Sequence, residues 1–148
     1  MAEVDGEPAA GLCGYFDAEC GAQAVIDGQR EADRALGRSE DETNAGWLRA
    51  GSILYCMPEH EEGAWIVENV ATRPEFRRRG LVDALLREII DRGRARGATV
   101  ADIGVLMGND RAQLAYAKAG FAIVAEKRNA EFEAAYGSPG VRAMTRQI

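Results

Sequence analysis

The chain has 148 residues, one domain's worth of sequence and enough for a hydrophobic core. Hydrophobic residues make up 47% and charged residues 28%, an ordinary globular balance that argues against disorder. The formal net charge of -6 argues against nucleic acid as a partner, because phosphate backbones select basic surfaces, and it tolerates a cationic amine ligand.

Met1 to Tyr15 reads as a hairpin: Ala2-Glu3-Val4, a turn at Asp5-Gly6, then an extended run from Ala9 to Tyr15. Asp17 caps a helical stretch to about Leu36, in which Ala22, Val25, Ile26, Ala32 and Leu36 give an incomplete apolar stripe, and Gly37 stops it. Ser39 and Glu42 form a capping box for a second helix carrying Trp47 and Leu48. The apolar run Ser52 to Cys56 fits a strand or a helix end. Met57 to Gly63 reads as a polar loop holding His60 as an exposed bystander.

From here the order is regular. A strand over 64–72 leads through Arg77-Arg78-Arg79-Gly80-Leu81-Val82 into a helix over 80–96, whose apolar positions are Leu81, Leu85, Leu86, Ile89 and Ile90. A strand over 99–106, a helix over 110–119 capped by Asn109, a strand over 121–127, a short helix over 130–136 and a strand over 141–147 follow. The β-α-β-α-β order argues an α/β fold with helices on a mixed central sheet. The first turn of a helix leaves N–H groups unpaired and carries partial positive charge, so strand, basic glycine-containing turn and helix start suit a phosphate. Gly80 removes a Cβ from the approach. The same arginines also suit a solvated turn.

A second segment, Asn109-Asp110-Arg111-Ala112-Gln113-Leu114-Ala115-Tyr116-Ala117-Lys118-Ala119-Gly120-Phe121, joins the basic turn in one pattern. Together they resemble the GNAT superfamily of acyl-CoA-dependent N-acyltransferases. The family's phosphate-binding motif, Gln/Arg-x-x-Gly-x-Gly/Ala, falls on Arg77, Gly80 and Val82; Val82 departs from the small residue expected there. The pattern Asn-x-x-Ala-x-x-x-Tyr-x-x-x-Gly-Phe is matched by Asn109, Ala112, Tyr116, Gly120 and Phe121. The resemblance covers residues 64–148, the acyl-CoA-binding core of a single domain spanning 1–148, and implies a GNAT-like fold.

The N-terminal part departs from the family, which opens with a strand and two helices before its second and third strands. In one register the 1–15 hairpin is that later pair of strands and the helices over 17–50 are an insertion. In the other, Leu12 to Phe16 is the opening strand and the helices are the family's own, which leaves the sheet a strand short. We favour the first, in which the sheet lacks its opening strand, exposes an edge and invites a homodimer.

The resemblance implies acetyl-CoA as cosubstrate, held by Arg77, Arg78, Arg79, Gly80, Leu81 and Val82 at the pyrophosphate and by the strand edge Val70, Ala71 and Thr72 along the pantetheine. A backbone N–H, that of Val70, would act as oxyanion donor. Tyr116 is the candidate general acid, since a phenol of pKa ~10 is protonated at neutral pH and can donate to a thiolate. Asn109 would hold the cofactor or cap its helix. Glu68 is the best carboxylate candidate for general base, with loss of the proton through water as the alternative. The three cysteines Cys13, Cys20 and Cys56 match no metal spacing, and with His60 as the only histidine no metal is expected. No apolar run reaches a membrane span and no signal peptide is evident, so no membrane partner and a cytoplasmic location are expected. The reading is an N-acetyltransferase acting on an amine of a small molecule or peptide. A non-catalytic acyl-CoA-binding or regulatory module is the alternative, and a structural or dimerisation domain a third.

Overall fold

The computed structural model describes residues 1–148, the side chains of Ala22 and Arg49 excepted, so Ala22's part in the apolar stripe lies outside the described residues. Strand β1, Ala2–Val4, passes through Asp5 and Gly6 into strand β2, Glu7–Phe16. Asp5 and Gly6 sit at φ 53° and 79°, the pair of left-handed residues that a tight hairpin turn requires. Helices α1, Asp17–Cys20, α2, Ala22–Ala35, and α3, Glu40–Cys56, follow. The single helix expected from Asp17 to Leu36 is broken at Gly21, where a Cβ would press on the Asp17 carbonyl oxygen. Ser39 and Glu42 close the expected capping box: the Glu42 N–H donates to Ser39 Oγ at 3.3 Å, and the Ser39 N–H donates to Glu42 Oε2 at 2.8 Å. Ser52 to Cys56 proves to be the end of α3, not a strand.

Strand β3 is Trp65–Thr72, followed by a 3₁₀ turn at Pro74–Phe76 and helix α4, Leu81–Ala95. Strand β4, Val100–Leu106, helix α5, Asp110–Lys118, strand β5, Ala122–Arg128, helix α6, Ala130–Tyr136, and strand β6, Gly140–Gln147, complete the chain. The strands form a six-stranded mixed sheet in the order β1-β2-β3-β4-β6-β5, with β3 and β4 parallel. Helix α4 buries Leu85, Leu86, Ile89, Ile90 and Gly93 against it, one apolar face at helical spacing. Val67, Ala101, Ile103 and Met144 meet that face from the sheet, and Ala112, Ala115 and Ala119 of α5 pack against the same core. On β2 and α4 two glycines flank Trp65. A Cβ on Gly14 would lie 2.7 Å from Trp65 Cζ2, and one on Gly93 would lie 2.8 Å from the indole ring.

In an unencumbered helix Gly93→Ala would stabilise by ~0.5–1 kcal/mol. Here the added methyl meets a ring packed on its other side, and the change is expected to cost ~1–3 kcal/mol. A lower urea midpoint at unchanged m-value is the expected reading; a variant more stable than wild type would mean that α4 does not lie this close to Trp65.

Candidate active site

The site starts from a mismatch between strands. Gly11 pairs with Ala71 and Cys13 with Glu68, so β3 carries one residue more than β2 between those pairs. Asn69 absorbs it at φ 56°, a left-handed conformation that asparagine tolerates better than most side chains. A bulge bends its strand. β3 and β4 pair only through Trp65↔Ala101, Ile66↔Asp102 and Val67↔Ile103, and beyond that register they part. Val70, Ala71 and Thr72 therefore leave one edge of β3 unpaired by β4.

On one side of this cleft lies a cavity of about 740 Å³ lined by Val70 to Thr72, by every residue from Phe76 to Asp83, and by Asn109, Arg111, Ala112, Ala115 and Tyr116. Every residue expected from the sequence to hold acetyl-CoA thus borders one cavity. Gly80 is the N-cap of α4 at φ 73°, with no capping side chain and nothing within 4 Å of the position a Cβ would take among the described residues. The first N–H groups of α4 thus face the cavity without side-chain partners. Asp83, the one acidic residue of the first turn, is paired with Lys118 of α5, which offsets its charge. The guanidinium groups of Arg73 and Arg79 lie over the Phe76 ring, 5.4 and 5.2 Å from its centroid, and Arg77 Nε donates to the Thr72 carbonyl oxygen at 3.4 Å. Thr72 Oγ1 is buried without a protein partner among the described residues. Unpaired N–H groups, arginines and an open glycine position fit a phosphorylated, elongated ligand.

Tyr116 lies on α5, whose N-cap Asn109 accepts from the Ala112 N–H at 3.3 Å. The ring is buried, and burial raises its pKa, which keeps the phenol protonated near neutral pH. Tyr116 borders the groove and also a second cavity, of about 510 Å³, that runs between β3 and β4 and includes Glu68, Val70, Asn109 and His60. Glu68 borders in turn a third cavity, of about 650 Å³, between α1–α3 and the sheet. Its Oε2 accepts from Tyr15 Oη at 2.7 Å. Burial first, then that bond and the charge of Glu68, raise the Tyr15 pKa.

The loop holding His60 departs from expectation. The side chain is only 16% exposed, and its Nδ1 lies 3.2 Å from Oδ2 of buried Asp102 on β4. Thr145 Oγ1 of β6 donates to Asp102 Oδ1 at 2.6 Å, because the two residues are directly paired across the sheet. Burial opposes ionisation of Asp102, but the hydrogen bonds from His60 and Thr145 and the His60 charge outweigh it and hold the carboxyl below its ordinary value. The sequence reading missed Asp102, Asn69 and Phe76. A lone carboxylate in the run Val100-Ala101-Asp102-Ile103 was the available signal for the first, and an asparagine inside an apolar strand for the second.

The lowered Asp102 pKa makes its contribution to stability present above the ordinary value of 3.8 and lost as pH falls through the folded-state value. Asp102→Asn is expected to be less stable than wild type near pH 7, with the gap narrowing below pH 3.8. Urea titrations at the two ends of that range read it, and a gap that widens in acid would count against an ionised Asp102.

The chain matches the acetyltransferase (GNAT) family over residues 1–121. Among solved structures, one described as an acetyltransferase aligns at TM-score 0.68 and 22% identity, over 99% of this chain and 68% of its own. An N-acetyltransferase from Staphylococcus aureus Mu50 aligns at TM-score 0.65 and 17% identity, over 97% and 67%. A Bacillus subtilis acetyltransferase in complex with CoA aligns at TM-score 0.54 and 17% identity, over 61% of this chain and 64% of its own. The chain thus spans about two thirds of the length of these structures. No curated protein matches it.

Proposed function

This chain belongs to the GNAT acetyltransferase family, and we propose that it is an N-acetyltransferase carrying an acetyl group from acetyl-CoA to an amine of a small molecule or peptide by direct attack. The observation that carries the reading is that Tyr116 and Glu68 border one cavity, which shares Val70, Asn109 and Tyr116 with the basic groove and His60 and Glu68 with the space under the helices. The CoA complex of the Bacillus subtilis protein supports acetyl-CoA as the cosubstrate.

In this reading the N–H groups from Arg78 to Val82 and the arginine side chains bind the pyrophosphate, with Asn109 at the inner end of the groove. Val70 to Thr72 offer backbone groups to the pantetheine amides, and the Val70 N–H donates to the thioester oxygen. Glu68 draws the acceptor's ammonium toward the cleft and takes a proton from it. Tyr116 donates its phenolic proton to the departing sulfur, and burial keeps that proton in place until then. We take residues 1–148 as one domain, since all six strands join one sheet, from β1 at one edge to β5 at the other.

A cytoplasmic enzyme is consistent with free cysteines and with no helix of the described residues being long and apolar enough to cross a membrane. We also propose a homodimer. The support is the β1 edge of the sheet together with Val25 of α2, Leu36 at its C-cap, and Leu48 and Tyr55 of α3, all more than half exposed. Sedimentation velocity across the micromolar range is expected to show a dimer; a monomer throughout would remove this part.

The deciding experiment is Tyr116→Phe, which deletes only a hydroxyl. Its affinity for acetyl-CoA, read by calorimetry, is expected to match wild type, while kcat in an assay of released CoA thiol falls ~10²–10⁴-fold with KM for acetyl-CoA unchanged. A variant as fast as wild type takes Tyr116 out of the mechanism. Tight acetyl-CoA binding by a wild type that turns over no amine would instead favour a non-catalytic acyl-CoA-binding module.

A further inference from the structure

His60 is the only histidine of the chain, and it sits where the cavity between β3 and β4 meets the space under the helices. Its ring is held from behind. Asp102 is 5% exposed, and its carboxylate takes hydrogen bonds from Thr145 Oγ1 and His60 Nδ1. A carboxylate buried in a sheet is tolerated only with donors around it, and here they converge from β6 and from the loop. With the Nδ1 proton directed at Asp102, the lone pair of the ring is on Nε2, which has no partner among the described residues. Imidazole is also the side chain whose ordinary titration falls between pH 5 and 8, where a proton is both taken and released readily.

We propose that His60, oriented by Asp102, is a catalytic base for the acceptor amine, working beside Glu68. The inference rests on the acetyl-transfer reading above. A protonated primary amine has three N–H bonds and the amide product one, so two protons must leave the nitrogen. His60 Nε2 takes the first and passes it to solvent, which frees the lone pair for attack. As the C–N bond forms and the C–S bond breaks, Glu68 takes the second. Tyr116 gives its proton to the sulfur and regains one, through water, from Glu68. Asp102 touches no substrate and is a positioning residue.

The groups facing His60 favour a cation. Tyr15 of β2, Glu68 of β3, Asp17 of α1 and Asp102 of β4 surround it, while the two cations bordering the same space are each engaged by a carboxylate: Arg30 of α2 by Asp27 at 3.7 Å and Lys127 of β5 by Glu59 at 2.9 Å. Apolar walls from Ile26, Trp47, Leu54 and Ile66 complete the space. The acceptor class is therefore a primary ammonium on an apolar body.

The test combines His60→Gln with ring ¹⁵N NMR of wild type, where a single histidine leaves no assignment to resolve. Above its titration the ring is expected as the Nδ1–H tautomer with bare Nε2. In kinetics with a hydrophobic primary amine, wild-type kcat is expected to rise with pH through a single titration limb. His60→Gln is expected to lose that limb, to be slower by ~10²–10⁴-fold at neutral pH, and to recover as the pH approaches the amine's own value of ~10. Its acetyl-CoA affinity should match wild type, since His60 does not border the groove. Asp102→Asn should shift the limb without abolishing it. An Nε2–H tautomer, or a His60→Gln enzyme that keeps the wild-type rate and limb, overturns the role of His60 and leaves the acetyl-transfer reading standing. A wild type that acetylates no amine overturns both.

Discussion

Two parallel strands that stay hydrogen-bonded along their length leave no room for a ligand between them, and β3 and β4 separate because one of them bends. The bend is at Asn69, where β3 accommodates a residue that β2 has no partner for. From this one irregularity follow the unpaired edge Val70 to Thr72, the cavity between the strands and the exposure of Tyr116 to that cavity. A regular β3 would continue its ladder past Val67↔Ile103, close the cleft and bury the edge in backbone hydrogen bonds. The strain of one left-handed residue is small, ~1–3 kcal/mol, and the packing of α4 on Trp65 and Val67 holds the preceding part of the strand against it.

The basic turn depends on the same strand. Thr72 ends β3 and accepts from Arg77, so the direction in which the bulge sends the strand also sets where α4 begins. Gly80 then reverses the chain at positive φ and opens the helix with its N–H groups toward the groove. Charges around the turn leave that end positive: Lys118 neutralises Asp83 and Arg79 lies over the Phe76 ring, while Arg73, over the same ring, is paired with Glu75 and Glu7. The groove is thus a property of the backbone as much as of its arginines.

Much of this was readable one residue at a time. The boundaries of α4, α5 and α6 follow from Gly80, Asn109, Asn129 and the stop at Gly137, because caps are local chemistry between residues a few positions apart. Tyr116 and the basic turn were visible as motifs, and the fold class followed from the alternation of strand and helix. What the sequence did not disclose is what depends on distance along the chain. His60 and Asp102 are separated by 42 residues, and their meeting depends on a loop folding onto the sheet. The bulge likewise needs the register of β2 against β3, which no window on β3 alone contains. Gly21 divides the helix expected from Asp17 to Leu36, because its backbone there is extended.

In the proposed reading the chemistry is divided between walls that no local interaction joins. Tyr116 comes from α5, Glu68 from the last regular turn of β3 before the bulge, and His60 from the loop braced on β4 through Asp102. Only the sheet relates them, so the spacing between acid and base is set by how far β3 and β4 part. This explains the brace. A loop histidine left to solvent would sample many orientations, and ordering it at each turnover would cost free energy; fixing Nδ1 on a buried carboxylate removes that freedom in advance. The same logic applies to Glu68, whose Oε2 is occupied by Tyr15 and whose other oxygen alone is left to meet a ligand. Each group proposed to handle a proton on the helical side of the cleft is thus held by a second residue from a different strand, which ties its position to the sheet.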